Sequence, residues 1–123
     1  MGGVTNTTLS AITIVSAEYV KNNITHIAVG DSAIDFNTTQ TTLGNEVFRK
    51  LADDVRRVGT EVRTRVRFDV TEGNSNTFRE TGNFDSGSGG VMLSRNIITP
   101  FIKTNEKELT IVTRNIFSAK NKI

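Results

Sequence analysis

The segment EVRTRVRFDV at residues 61–70 alternates apolar or small side chains with charged ones at a strict period of two. Successive side chains of a β-strand point to opposite faces of a sheet, so this period predicts a strand with one buried and one solvated face. A strand of this kind needs a second layer of structure to cover its buried face. The predicted buried face consists of Val62, Thr64, Val66, Phe68 and Val70.

The composition of the whole chain also favours strands and turns. Its 123 residues are 36% hydrophobic and 23% charged, and Thr, Asn and Ser make up much of the remainder. Threonine suits pleated surfaces, whereas Asn, Ser and Gly favour turns. We therefore predict one domain over residues 1–123 with a mainly β, antiparallel β-sandwich-like fold and one or two short helices near the N-terminal half. Residues 1–23 are predicted to form an N-terminal helix or arm, and residues 118–123 a flexible basic tail.

Residue counts restrict the functional class. The chain has no cysteine, and its one histidine, His26, rules out a histidine-cluster metal site. No nucleophile–His–acid set is present, and no carboxylate pair has a catalytic spacing. We therefore predict no catalytic, cofactor-binding or metal-binding residues, no cofactor and no enzyme. No stretch approaches the ~20 apolar residues of a membrane span, so we expect no membrane partner.

Two segments have sequence patterns that fit either a helix or a strand. Residues 7–22 combine helical spacing with the strand-like run AITIVS, and we favour a short helix. Between residues 43 and 58 an apolar residue recurs at every fourth position, which is a helical spacing, whereas DDVRRVGTEVRT resembles two strands joined at Gly59. We predict one or two helical turns around Leu43 to Arg49 and a strand after them. A full helix fits the pattern nearly as well.

Three arginines, Arg63, Arg65 and Arg67, occupy the solvated face of the 61–70 strand, about 6.8 Å apart at twice the rise per residue. One interpretation is a track for phosphates in a nucleic-acid-binding accessory protein, extended by Arg56 and Arg57. The other is a solvated face whose arginines pair with acidic residues on neighbouring strands. No aromatic side chains are interleaved to stack on bases, and the net charge is only +2. We favour the paired interpretation, expect no nucleic-acid partner, and keep nucleic-acid binding as the alternative.

The segment TFRETGNF predicts a strand that places Glu80 between Phe78 and Phe84 on one face. A buried carboxylate requires an arginine or backbone donors. Arg79 points to the opposite face. Arg95, on the following predicted strand, is therefore the candidate partner in a buried charge pair.

The run SGSGG at residues 86–90 follows this strand. A phosphate-binding loop would lead into a helix, whereas VMLSRNIITPFIKT is rich in β-branched residues and predicts another strand. We interpret the run as a hairpin connection whose glycines adopt positive φ angles. The last predicted strand, KELTIVTRNIFSA, has apolar residues on both faces, which suits an interior strand or one covered by a partner subunit.

Four segments, taken in order, resemble the motifs of small tail-associated structural proteins of tailed bacteriophages, akin to the N-terminal parts of tail-fibre and tail-collar proteins. They are ITHIAVGDS, TTLGNEVFRK, FRETGNFDSGSGGVMLSR and FIKTNEKELTIVTRNIF. The resemblance runs from Ile24 to Phe117. Asn83, where the class usually has an apolar residue, and Arg114, where it often has an aromatic one, depart from the pattern.

The resemblance implies a virion component of a tail, baseplate, fibre attachment or collar, which acts by oligomerisation and subunit contacts. It implies partners in the chain itself, as a trimer or a ring, and in other virion structural proteins. Capsid decoration is a further alternative. We expect subunit contacts at the hairpin, the arginine face and the last strand. The residues concerned are Arg63, Arg65, Arg67, Phe84, Asp85, Val91, Arg114 and Ile116.

Overall fold

The computed structural model describes residues 2–4, 17–34 and 41–116. Within these ranges the chain forms one helix, α1 (Ala17–Asn23), and eight strands. The strands are β1 (Gly2–Val4), β2 (His26–Gly30), β3 (Glu46–Leu51), β4 (Asp54–Val58), β5 (Glu61–Phe68), β6 (Asn76–Phe84), β7 (Met92–Lys103) and β8 (Leu109–Ile116).

The strands form two antiparallel sheets. The larger sheet has the order β1-β7-β6-β2-β3, and the smaller has the order β4-β5-β8. Ile27 and Val29 of the larger sheet pack against Val66 and Phe68 of the smaller one in a single buried cluster. The predicted mainly β, antiparallel β-sandwich-like fold with a short helix is confirmed.

The chain crosses from the larger to the smaller sheet at a two-residue corner between β3 and β4. The Ala52 N–H donates to the Thr25 carbonyl at 3.0 Å, next to the larger sheet. The Asp53 N–H donates to the Arg65 carbonyl of the smaller sheet at 2.8 Å. Both amides of the corner are thus satisfied, one on each side, which fixes how the two sheets are joined.

The predicted helical turns around Leu43 to Arg49 are wrong, and so is the alternative of a full helix. Residues 46–58 form β3, the corner and β4. Leu43 is buried against Phe84 and Met92, whereas Leu51 is 63% exposed. The four-residue spacing therefore does not mark one buried face, because its members lie in different surroundings.

The strand predicted at 61–70 is β5, and its alternation of buried and exposed residues is confirmed as far as Phe68. Val70 is an exception, because the strand ends before it and its side chain is 39% exposed. Within the segment predicted to form an N-terminal helix, the structure shows α1, which begins at Ala17. Residues 7–16 and 118–123, which include part of that helix and the predicted tail, lie outside the described residues.

The space between the sheets is partly polar. Asn83 Nδ2 donates to Ser94 Oγ at 2.7 Å within the larger sheet, and Ser94 Oγ lies 3.4 Å from Asn115 Oδ1 on β8. The hydroxyls of Thr64 and Thr113 hydrogen-bond to each other inside the smaller sheet. Paired hydroxyls and amides can be buried without a large desolvation cost, so a core can form at the chain's low hydrophobic content.

Candidate assembly interface

β8 is an edge strand. It pairs with β5 on one side, and no strand of the described residues pairs with its other side. Ile111 is 7% exposed on the inner face, whereas Val112 and Ile116 on the outer face are 53% and 70% exposed. The alternative of an interior strand is therefore wrong within the described structure. Coverage of β8 by a partner subunit stays a prediction.

The hydrogen bonds of β5 show which backbone groups of β8 are free. The Arg65 carbonyl accepts from Asp53, and the Arg67 N–H donates to the Asp53 carboxylate at 2.7 Å. Residues 63, 65 and 67 thus direct their backbone groups towards β4, and their partners on β8 direct theirs away from β5. Among the described residues these β8 groups have no hydrogen-bond partner. They belong to Thr110, Val112 and Arg114.

The edges of the two sheets differ in how they are protected. β1 has three residues, and β3 and β4 each carry three charged residues in a strand of six and five residues. β8 has one charged residue, Arg114, among eight. Short length and charged side chains are the usual means by which an edge strand avoids pairing with another chain. β8 has neither.

The arginine face is the outer face of the smaller sheet. Arg63 forms an ion pair with Glu61 at 3.1 Å, and Arg67 with Glu108 at 3.0 Å. Arg65 has no ion pair among the described residues. The partner of Arg63 lies on its own strand, whereas the partner of Arg67 immediately precedes the neighbouring strand β8. The predicted pairing with acidic residues on neighbouring strands therefore occurs at one of the three arginines.

Three arginines lie directly opposite one another across the smaller sheet. Arg56 on β4 is the register partner of Arg63 on β5, and Arg63 is the partner of Arg114 on β8. Neighbouring strands are about 4.8 Å apart, and like charges directly opposite destabilise a sheet. Arg56 contacts Asp54 at 2.8 Å, but Arg114 has no acidic partner among the described residues. Within the described part of the chain, Arg114 is therefore an edge cation without a compensating carboxylate.

The hairpin between β6 and β7 is built largely from interactions within the chain. Its prediction is confirmed, with φ angles of 62° at Gly89 and 74° at Gly90. Phe84 is 2% exposed beneath the Arg49 guanidinium, and Asp85 accepts a hydrogen bond from the Val91 N–H at 2.8 Å. Phe84 is thus buried in the interior, whereas Asp85 and Val91 are half-buried, and their role as subunit contacts stays a prediction.

Arg49 fixes the hairpin from β3, and sequence reasoning missed it. Its Nη1 donates to the carbonyls of Ser86 and Gly89 at 2.8 and 2.9 Å. Its Nε and Nη2 bind the Glu46 carboxylate, and its charge lies 3.8 Å from the centre of the Phe84 ring. No spacing in the sequence connects Arg49 with a loop about 40 residues away.

Glu80 and Arg95 are brought together, and both are fully buried. Arg95 Nε donates to Glu80 Oε1 at 2.8 Å. The same carboxylate accepts the N–H groups of Gly44 and Asn45, each at 2.8 Å, and that of Ser32 at 3.3 Å. Four donors from three segments therefore converge on one carboxylate, in the arrangement that a buried negative charge requires.

The surroundings of Glu80 differ from the predicted ones in one respect. Phe78 packs with Phe68 between the sheets, whereas Phe84 packs with Leu43 in a separate cluster. The register shifts between Phe78 and Glu80, so the two phenylalanines do not flank the carboxylate on a common core face. The backbone donors that the sequence required are present, but their positions were not predictable from it.

The described residues contain neither a candidate metal site nor a candidate membrane span. They include no group of three His, Cys, Asp or Glu side chains that could hold a metal ion, and none of their helices is long and apolar enough for a membrane crossing. His26 is half-buried on β2, with Nδ1 2.8 Å from the Thr25 hydroxyl. The Lys50 ammonium donates to the Glu72 carboxylate at 2.8 Å and lowers the pKa of Glu72 below its ordinary value.

Comparison of the chain with models of known protein families, with curated proteins and with solved structures finds no match.

Proposed function

We propose that this chain is a structural component of a virus particle, in a tail or a part attached to it, and that it acts by contacts between its own copies and with neighbouring virion proteins. The observation that carries the proposal is the unprotected edge of β8. That edge presents unpaired backbone groups together with the exposed side chains of Val112 and Ile116. Such an edge pairs readily with another chain.

The positions of the phage-like segments support a structural role for the residues that they contain. Ser32 of ITHIAVGDS, Gly44 and Asn45 of TTLGNEVFRK, and Glu80 and Arg95 of the hairpin segment all meet at the Glu80 carboxylate. Residues of these segments thus join loops and strands of the larger sheet around a buried charge. A fixed scaffold of this kind presents edges and faces in a constant geometry, which repeated subunit contacts require.

Two measurements test this proposal. Native mass spectrometry and sedimentation, over a wide range of protein concentration, are expected to show a defined oligomer. Gold-labelled antibodies against the chain are expected to bind purified particles of the virus that encodes it, at the tail. A chain that stays monomeric at every concentration and is absent from purified particles would refute the proposal.

The in-register arginines favour a second candidate function, which is contact with nucleic-acid phosphates. The row formed by Arg56, Arg63 and Arg114 would account for the like charges placed opposite one another. Three phosphate contacts predict that the binding constant for duplex DNA falls with salt at a logarithmic slope of about −2.7.

The arginine row can be tested directly. Replacing Arg56, Arg63 and Arg114 together by Gln should abolish DNA binding. Arg57→Gln is the matched control, because Arg57 is paired with Glu18 at 2.8 Å and lies outside the row. Binding that is lost equally in the control would show a general charge effect and reject this second candidate.

A further inference from the structure

We propose that β8 pairs antiparallel with β8 of a second copy about a twofold axis at Ile111, so that two three-stranded sheets become one six-stranded sheet. This inference rests on the proposed function, because it names the surface and the register by which copies associate. We choose a second copy of the chain as the partner of this edge. When two copies of the strand pair antiparallel, Arg114 of one can lie opposite Glu108 of the other.

The register follows from the free backbone groups. In a new antiparallel pair, residues whose N–H and C=O point outwards must face each other, and these are residues 110, 112 and 114 on β8. A twofold axis at Ile111 places Thr110 opposite Val112 of the second copy. The same axis places Arg114 opposite Glu108, the residue immediately before β8.

An axis at Thr110 also places Arg114 opposite an acidic residue, Glu106, but Glu106 lies in the turn before β8 and not on extended backbone that can continue the pairing. The registers on the other side of Ile111 lack a charge match. An axis at Val112 places Arg114 opposite Thr110, and an axis at residue 113 places it opposite Val112. Opposite charges facing each other across strands stabilise a sheet, whereas an unpaired cation beside an apolar side chain does not. The register at Ile111 therefore forms two Arg114–Glu108 contacts, related by the twofold axis.

Both charges are accessible for this contact. Arg114 is exposed and has no ion pair among the described residues. Glu108 is 55% exposed in its side chain, and its bond to Arg67 at 3.0 Å joins two solvated groups. Such surface pairs are weak, so Glu108 can bind Arg114 of the second copy at small cost.

The apolar side chains at the edge suit the same register. A groove of about 330 Å³ lies between β7 and β8 and is lined by Ile98, Phe101, Leu109 and Ile111, among others. With the axis at Ile111, this residue meets its own copy, and Leu109 faces Thr113 of the second copy. The β8 residues that line each groove, Leu109 and Ile111, then lie against the second copy, which removes part of the apolar lining from water.

A charge exchange tests the register. Arg114→Glu and Glu108→Arg are each expected to weaken dimerisation at least about tenfold in sedimentation equilibrium, because like charges then face each other. The double variant is expected to restore the wild-type dissociation constant to within about threefold. Arg56→Glu is the matched control, since Arg56 is exposed on the same outer face but lies on β4, two strands away from the edge, and it should leave dimerisation unchanged.

Amide hydrogen exchange gives a second readout that does not depend on any variant. The amides of Thr110, Val112 and Arg114 should exchange rapidly in dilute monomer and become protected in the dimer. The amides of Ile111 and Thr113 should be protected in both, because they face β5.

The possible failures are separable. An oligomer with an odd number of copies, no rescue by the double variant, or rapid exchange at residues 110, 112 and 114 in the oligomer would each overturn the β8 pairing and leave the proposed function standing. A wild-type chain that is monomeric at every concentration would overturn the self-assembly on which both rest.

Discussion

Glu80→Gln should destabilise the fold more than Arg95→Met, although each variant removes one partner of the same buried ion pair. Glu80→Gln preserves the shape of the side chain but removes its charge and turns one acceptor into a donor that faces backbone N–H groups. It also leaves Arg95 as an uncompensated buried cation. Removal of one member of a buried ion pair costs about 3–5 kcal/mol. For a chain of 123 residues, about 4 °C of melting temperature corresponds to each kcal/mol, so the expected loss is about 12–20 °C.

Arg95→Met should cost much less. The Glu80 carboxylate would keep its three backbone donors from Ser32, Gly44 and Asn45. Arg95 contributes one hydrogen bond through Nε, whereas its buried Nη1 and Nη2 have no hydrogen-bond partner among the described residues. Methionine has a flexible apolar side chain that removes these two unsatisfied atoms. We expect a loss of about 1–2 kcal/mol, smaller than the loss for Glu80→Gln.

Urea unfolding followed by circular dichroism measures both values, and an unchanged m-value shows that the comparison is between like transitions. The double variant should be more stable than the sum of the two single losses predicts, because it no longer buries a lone cation. Equal losses in the two single variants, or a larger loss for Arg95→Met, would refute the view that backbone amides rather than the arginine hold the carboxylate.

Three further predictions follow from particular contacts. Gly90→Ala should destabilise the chain more than Gly89→Ala in thermal unfolding: both have positive φ angles, but an added Cβ at residue 90 meets neighbouring atoms and at residue 89 meets none. The pKa of Glu72 is lowered by Lys50, so its contribution to stability is complete above the ordinary pKa of 4.5 and is lost as the pH falls through the lowered value. Glu72→Gln should therefore be less stable than wild type at neutral pH and equally stable in acid, and an unchanged difference across the acid range would contradict this. His26→Gln should leave oligomer formation unchanged, as sedimentation will show, because the ring lies on β2, away from the β8 edge.

The parts of the fold that were predictable are those in which a local pattern reports burial directly. The alternation over Val62 to Phe68 survives in β5 because one face of that strand packs on the other sheet while the opposite face meets water. The glycines of the hairpin were also readable, since positive φ angles at Gly89 and Gly90 favour a residue without a Cβ.

The parts that were not predictable depend on distant segments. β3 carries no alternation, because Val47 and Phe48 are both half-buried against the inner cluster, and the helical spacing there was a coincidence. The need of Glu80 for donors was predictable from its place in a strand. The identity of the backbone donors was not, since Gly44 and Asn45 reach it from a loop more than 30 residues earlier.

The strand order of the smaller sheet also determines when its strands can pair during synthesis. β4 and β5 are joined by a tight turn at residues 59–60, but β8 begins about 40 residues after β5 ends. During synthesis, β5 therefore waits for its third strand while the whole β6–β7 hairpin is made. Until residues 109–116 are made, β5 has only β4 beside it, and the backbone groups that will bind β8 have no strand to pair with.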